Sequence, residues 1–280
     1  MPSSPADTNP SLVEALGVWT LYALVLIPVG ITYARVPPEK LYAVSGSGAE
    51  GGVTRALVVL AGPFAPLAAA LAVVAAARLG DAAGWFLAIA AVALCLTPAW
   101  PGVMRRDDLD LRWANAPALV GVGLALTLML VAARERGIGR AAEWRRGDWV
   151  RVGVALVLLV WTVPWLIAEI GVCPDRVPGV ERVHLGHHEG FDGALLALSV
   201  LAVSRAVPVI RRPVGDLLAL YLAMILVYGL ADAFADGWHE QIVRRGGTSW
   251  RPPDLLVPHA SLAWAVLVLC AAIVAPLLRR

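Results

Sequence analysis

Eight apolar runs of about 20 residues, separated by short charged or Pro/Gly-rich breaks, constrain this sequence more than any other feature. A bilayer core of roughly 30 Å requires about 20 predominantly apolar residues per helix, so each run has the length of a transmembrane helix. We predict spans at residues 12–34, 55–77, 83–104, 114–133, 150–171, 190–210, 214–232 and 256–278. The sequence therefore predicts an all-α, polytopic integral membrane protein in which residues 1–280 form one transmembrane helical bundle.

The composition agrees with a membrane environment. Hydrophobic residues make up 59% of the chain and charged residues 16%, with a mean hydropathy of +0.72. An average soluble domain is roughly half apolar and about a quarter charged. The net charge of +2 is not the concentrated positive charge of a nucleic-acid binder, so we predict the lipid bilayer as partner and exclude nucleic acid. Only Lys40 is a lysine among the 23 basic residues, a bias typical of high-GC bacterial genomes, and we expect a bacterial inner-membrane location.

The orientation is predicted from one arginine-rich loop. The sequence RERGIGRAAEWRRGDWVR, residues 134–151, is short and basic, and such loops are retained in the cytoplasm. With this loop inside, an eight-span map places both termini in the cytoplasm and residues 172–189 outside. The basic residues divide 12 to 11 between the inner and outer sides, so the prediction depends on this loop rather than on the totals.

All five histidines fall on the predicted outer side, together with 14 of the 21 acidic residues. The segment VERVHLGHHEGFDG leads into the sixth span. If its helix begins near Val183, then His184, His188 and Asp192 are spaced i, i+4, i+8 on one face, with His187 beside them. Two imidazoles at this spacing can chelate one metal ion. The alternative is that these histidines are hydrated at the membrane interface.

The same segment contains a near match to a zinc-hydrolase motif. His188, Glu189 and Asp192 form H-E-x-x-D, which differs in its last ligand from the H-E-x-x-H of zinc proteases. Glu189 occupies the position of the general base in that motif. An intact H-E-x-x-H, which a site-2 protease requires, is absent from the sequence.

The seventh span carries a second polar stripe at its outer end. Tyr228, Asp232, Asp236 and Glu240 recur every four residues, and His239 precedes the last of them. Asp232 lies about 27 Å along a helix that begins at residue 214, which places it at the outer hydrocarbon boundary. A carboxylate inside a membrane is a functional candidate that needs a partner. The alternative is a helix that has left the lipid by Asp232, with its acids solvated or paired to arginines 244 and 245.

Further candidates complete the predicted site. Glu169 is embedded in the apolar run VPWLIAEIGV at the outer end of the fifth span, and His259 follows Pro258 just inside the eighth. Short connections make spans five to seven antiparallel neighbours, so their outer ends converge. The predicted metal ligands are His184, His187, His188, Asp192, Asp232, Asp236, His239, Glu240 and His259, with Glu169 and Glu189 as catalytic carboxylates. Imidazole with carboxylate suits zinc or another divalent metal.

Three function classes are compatible with this pattern. The leading hypothesis is a metal-dependent membrane hydrolase in which metal-bound water attacks a lipid or other membrane substrate and a carboxylate moves the proton. The second is a transporter or proton-coupled permease that takes a small-molecule substrate and uses the same titratable residues as relays. The third is a scaffold or assembly subunit without a site.

Overall fold

The computed structural model describes residues 9–35, 48–49, 52–100, 103, 111–169, 188–253, 255 and 259–279. Over these residues the chain is helical, and only an isolated antiparallel bridge joins Ala49 to Leu111. The helices are α1 Val13–Arg35, α2 Gly52–Val59, α3 Ala65–Leu79, α4 Ala82–Cys95, α5 Ala116–Arg136, α6 Arg146–Glu169, α7 His188–Val203, α8 Val214–Trp238 and α9 Leu262–Leu278. A π turn, Leu60–Phe64, makes α2 and α3 one rod, so the described chain forms eight helical rods. The all-α prediction is confirmed for these residues.

Five stretches of the described chain are long and apolar enough to cross a membrane. They are Ala56–Leu79, Ala82–Ala99, Trp113–Arg136, Gly190–Val209 and Val214–Val243. Two shorter apolar helices, Val13–Ile27 and Leu262–Leu278, accompany them. Large apolar side chains on α4, α6 and α9 are exposed, among them Phe86, Val160 and Ile273. These lengths and outward-facing apolar surfaces are consistent with a membrane protein.

Two predicted helix boundaries are wrong in ways that affect the site. The helix of the eighth predicted span begins at Leu262 rather than at 256, because the Ser261 side chain caps it by accepting a hydrogen bond from the Trp264 N–H at 3.3 Å. His259 therefore precedes α9 and is exposed, not inside the span. At the seventh span, α8 continues past residue 232 to Trp238 and then through a π turn, His239–Val243.

Helix α3 lies at the centre of the bundle. Its sequence APLAAALAVVAAARL is rich in alanine, and its small side chains allow neighbouring helices to approach closely. It packs against α4, α5 and α8. The Tyr221 hydroxyl of α8 donates a 2.7 Å hydrogen bond to the Pro66 carbonyl in the first turn of α3. This hydrogen bond links α8 to α3.

The helix termini gather at two ends of the bundle. At the end we call the basic end, the Leu12 N–H before α1 donates to the Ile138 carbonyl after α5 at 2.9 Å, and Arg78 of α3 donates to the Arg136 carbonyl at 2.8 Å. Arg279 of α9 pairs with Asp216 of α8 at 3.0 Å at this end. The opposite end, which we call the acidic end, holds the described start of α7, the last turns of α8 and the start of α9.

Helices α7 and α8 approach each other through glycines. A Cβ atom added to Gly229 of α8 would clash with the Gly193 carbonyl oxygen of α7 and lie 3.2 Å from the Ala197 amide nitrogen. Only glycine permits this separation of the two backbones. We call this contact the α7–α8 seam; it comprises Gly190, Gly193 and Ala197 of α7 with Gly229, Asp232 and Asp236 of α8.

The seam predicts a contrast between two glycine substitutions. Gly229→Ala should force α7 and α8 apart and lower the melting temperature by several degrees, because overpacking costs about 1–3 kcal/mol. Gly123→Ala in α5 is the matched control, since its added Cβ would meet no atom within 4 Å. Thermal unfolding of both variants in detergent checks this. Equal melting temperatures for the two variants would contradict the close approach.

Candidate functional site

The acidic stripe of α8 faces α7. Gly229, Asp232, Asp236 and Glu240 are spaced by three, four and four residues, which places them on one side of a helix. The contact at Gly229 turns this side toward α7. Of the stripe predicted from the sequence, Asp232 and Asp236 contact α7, whereas Tyr228 stacks on Trp264 of α9 with ring centroids 6.1 Å apart.

The carboxylates of the stripe fill space that glycines leave open. The Asp236 Oδ2 atom lies 2.5 Å from the position that a Gly190 Cβ would occupy. One turn deeper, the Asp232 Oδ2 atom lies 2.8 Å from the corresponding position at Gly193. Two carboxylates of α8 thus rest directly on the backbone of α7.

These acids are buried rather than solvated. Asp232 is 8% exposed, Asp236 7% and Glu240 2%. The alternative of a helix whose acids are solvated from Asp232 onward is therefore wrong for these three side chains. Pairing to an arginine is found at one of them, where the Arg244 guanidinium lies 3.2 Å from the Glu240 carboxylate.

The contact at Asp236 lies at the start of the described part of α7. This part begins at His188, two residues before Gly190. Asp236 therefore rests on the first described turn of the helix, directly after the histidine-rich stretch of the sequence.

Asp192 lies on another side of α7. It follows Gly190 by two residues, which is about 200° around an α-helix, and it lies near Tyr22 of α1. Tyr22 is fully buried and packs on Phe64, with ring centroids 4.1 Å apart. The structure therefore separates Asp192, at the α1–α7 contact, from Asp232 and Asp236 in the seam.

Helix α6 contacts α8 near the acidic end. A Cβ atom added to Gly237 would lie 2.8 Å from the Trp161 Nε1 atom, which fixes the relative height of the two helices. Glu169 lies eight residues beyond Trp161, about 12 Å farther along α6, whereas Asp232 lies about 7 Å before Gly237 on α8. Counted by helix rise from this contact, Glu169 lies on the side of Gly237 away from Asp232.

The remaining predicted residues divide by how far the structure describes them. His239 is half-buried at the start of the π turn, next to Glu240, and His259 is exposed. His188 and Glu189 form the first residues of α7, while His184 and His187 lie outside the described residues, as does the helix start expected near Val183. Further polar or ring contacts engage Asp192, Asp232, Asp236, His239, Glu240 and His259.

The spacing limits which residues can share one ion. Four residues of helix rise about 6 Å, so neighbours on the stripe such as Asp232 and Asp236 can share an ion, whereas Asp232 and Glu240, about 12 Å apart, cannot. Within the described part of the chain, no three His, Cys, Asp or Glu side chains form a group that could hold a metal ion. A metal-binding group would have to draw on residues beyond this part.

The seam glycines were missed as site residues in the sequence. Gly190 and Gly193 both lie in the stretch HHEGFDG, next to the histidines. Their three-residue spacing, continued by Ala197 four residues later, is the small-residue pattern of close helix contacts in membranes. That pattern, next to the α8 stripe, could have identified the partner surface of the carboxylates.

The chain matches no protein-family model, no curated protein and no solved structure.

The register of the seam can be tested by paired cysteines. In a variant without the native cysteines, Gly190→Cys with Asp236→Cys should form a disulfide on mild oxidation, because the two Cβ positions are closer than the ~3.8 Å of a relaxed disulfide and a small shift accommodates it. Gly190→Cys with Asp232→Cys, one helical turn out of register, is the matched control. Mass spectrometry of the linked peptides measures both; equal crosslinking in the two pairs would contradict the register.

Proposed function

We propose that the chain is a multi-pass protein of the bacterial inner membrane with eight spans and both termini in the cytoplasm. Five long and two shorter apolar helices support this proposal. The start of α1 and the end of α9 both lie at the basic end, together with the arginine-rich loop, as an even number of crossings requires. Retention of basic loops in the cytoplasm assigns this end to the inside.

We further propose that the acidic end binds a divalent metal, with zinc as the first choice. The observation that carries this is the contact of Asp236 and Asp232 with Gly190 and Gly193 of α7. The histidine-rich stretch, His184 to His188, directly precedes Glu189 and Gly190 in the sequence. His188 is therefore two residues from the backbone position on which Asp236 rests. Carboxylate and imidazole are the donors that zinc accepts.

Hydrolysis of a lipid or another membrane substrate is the reaction we assign to such a site. A divalent metal lowers the pKa of a bound water to about 7, which supplies a nucleophile at neutral pH. Glu189 directly precedes Gly190, the glycine on which Asp236 rests, whereas Glu169 lies beyond the outer end of the stripe. Of the two predicted catalytic carboxylates, we therefore favour Glu189 as the group that moves the proton.

A proton-coupled permease is the second candidate. It is favoured by the burial of three carboxylates at one-turn intervals inside Val214–Val243, a stretch long enough to span the membrane. Buried carboxylates in membrane helices mark proton relays as well as metal sites. This candidate needs no metal, and metal content therefore separates it from the hydrolase.

Metal content should depend on residues of the acidic end. Tag-free protein purified at neutral pH should hold near-stoichiometric zinc, and Asp236→Asn and His188→Ala should each lose most of it. The bound metal should also fall as the pH drops through about 6.5, because protonated imidazole cannot bind a metal. Elemental analysis by plasma mass spectrometry measures all of these.

Glu135→Gln provides the control for this experiment. Glu135 is an exposed acid at the basic end, so its removal should leave the zinc content unchanged. Folded wild-type protein with no zinc, or with the same zinc content as both site variants, would remove the metal site. The permease and the scaffold without a site would then be the remaining candidates.

A further inference from the structure

Residues 134–151, which we call the interfacial loop, expose tryptophans and arginines side by side at the basic end. Trp149 is 69% exposed and Trp144 55%, and their rings meet edge to face with centroids 5.3 Å apart. Ile138 and Val150 are also exposed. Exposed apolar groups of this size are unfavourable in water, and tryptophan is enriched where membrane helices meet the headgroups.

Buried acids hold the interfacial loop in place. The Glu14 carboxylate of α1 accepts a 2.9 Å hydrogen bond from the Ala142 N–H, and the Arg205 guanidinium donates a 2.6 Å hydrogen bond to the Ala142 carbonyl. Asp148 accepts from the Arg145 N–H at 2.9 Å and lies 3.5 Å from Arg205. The loop therefore has a defined shape, set by α1 and by the chain that follows α7.

The same network divides the charged side chains of the loop into those paired with buried partners and those that remain exposed. Glu14 and Asp148 are buried. Asp148 pairs with Arg151 at 3.0 Å and with Arg205 at 3.5 Å, and Glu14 lies 3.7 Å from Arg205. Outside this network the loop exposes more arginines than acids. The exposed arginines are Arg134, Arg136, Arg140 and Arg146, and the exposed acids are Glu135 and Glu143.

We propose that the interfacial loop is a binding surface for anionic phospholipid headgroups in the leaflet next to the basic end. The Trp144–Trp149 pair sets the depth of the loop at the headgroup layer, and the exposed arginines meet lipid phosphates there. Arginine binds phosphate oxygens through two parallel N–H bonds, and basic segments beside membrane helices attract anionic lipids. The interfacial loop lies at the opposite end of the bundle from the proposed metal site and shares no residue with it.

A competition experiment tests this surface. Full-length protein in a neutral detergent is titrated with dansyl-phosphatidylethanolamine, an anionic labelled lipid, and binding is followed by energy transfer from tryptophan to dansyl. Unlabelled phosphatidylglycerol should displace the probe at a concentration on the order of tenfold lower than phosphatidylcholine does, since each arginine adds to the attraction. Inorganic phosphate should not displace it, because the apolar part of the surface requires a lipid.

Two double variants test where on the protein the anionic lipid binds. Arg140→Gln/Arg146→Gln should lose most of the preference for phosphatidylglycerol, whereas Arg245→Gln/Arg251→Gln, which removes two exposed arginines from the acidic end, should keep it. All four arginines are exposed, so the variants should fold, and unchanged thermal unfolding in detergent alone verifies this. A preference that survives in the first variant, or is lost equally in both, would overturn the proposal.

Discussion

The close approach of α7 and α8 through Gly193 and Gly229 is the contact on which the proposed site depends. Without side chains at Gly190 and Gly193, the α7 backbone leaves room for two carboxylates of α8. A larger residue at either position would displace a carboxylate from its place or separate the helices. The seam therefore joins packing to the proposed chemistry, because the same glycines that bring the helices together leave room for the acids.

Charged side chains have different surroundings at the two ends of the bundle. At the acidic end, carboxylates are buried against backbone, and Arg244 partners Glu240 at the edge. At the basic end, the buried acids Glu14 and Asp148 fix the arginine-rich loop, while other arginines stay exposed. A buried charge without a partner has a high desolvation cost. We propose a metal ion as the ligand of the acidic end and anionic headgroups as the ligands of the basic end.

Periodicity and length made much of this structure predictable. Long apolar runs identified the helical rods, and the four-residue recurrence of Asp232, Asp236 and Glu240 identified the stripe. Helix ends were less predictable, because a single cap such as Ser261 decides where α9 begins and thereby leaves His259 outside the helix. The order of the spans predicts that their outer ends converge, but it does not predict which side of each helix faces its neighbour. Asp192, for example, lies toward Tyr22 rather than toward the seam.

Zinc X-ray absorption on tag-free, folded protein tests the central claim most directly, namely that carboxylates of the seam and histidines leading into α7 hold one metal. We expect a nitrogen and oxygen ligand shell at about 2.0–2.2 Å with imidazole scattering beyond it, and loss of that signal in Asp236→Asn. A shell containing sulfur at about 2.3 Å, or zinc whose ligand shell is unchanged by Asp236→Asn, would contradict it.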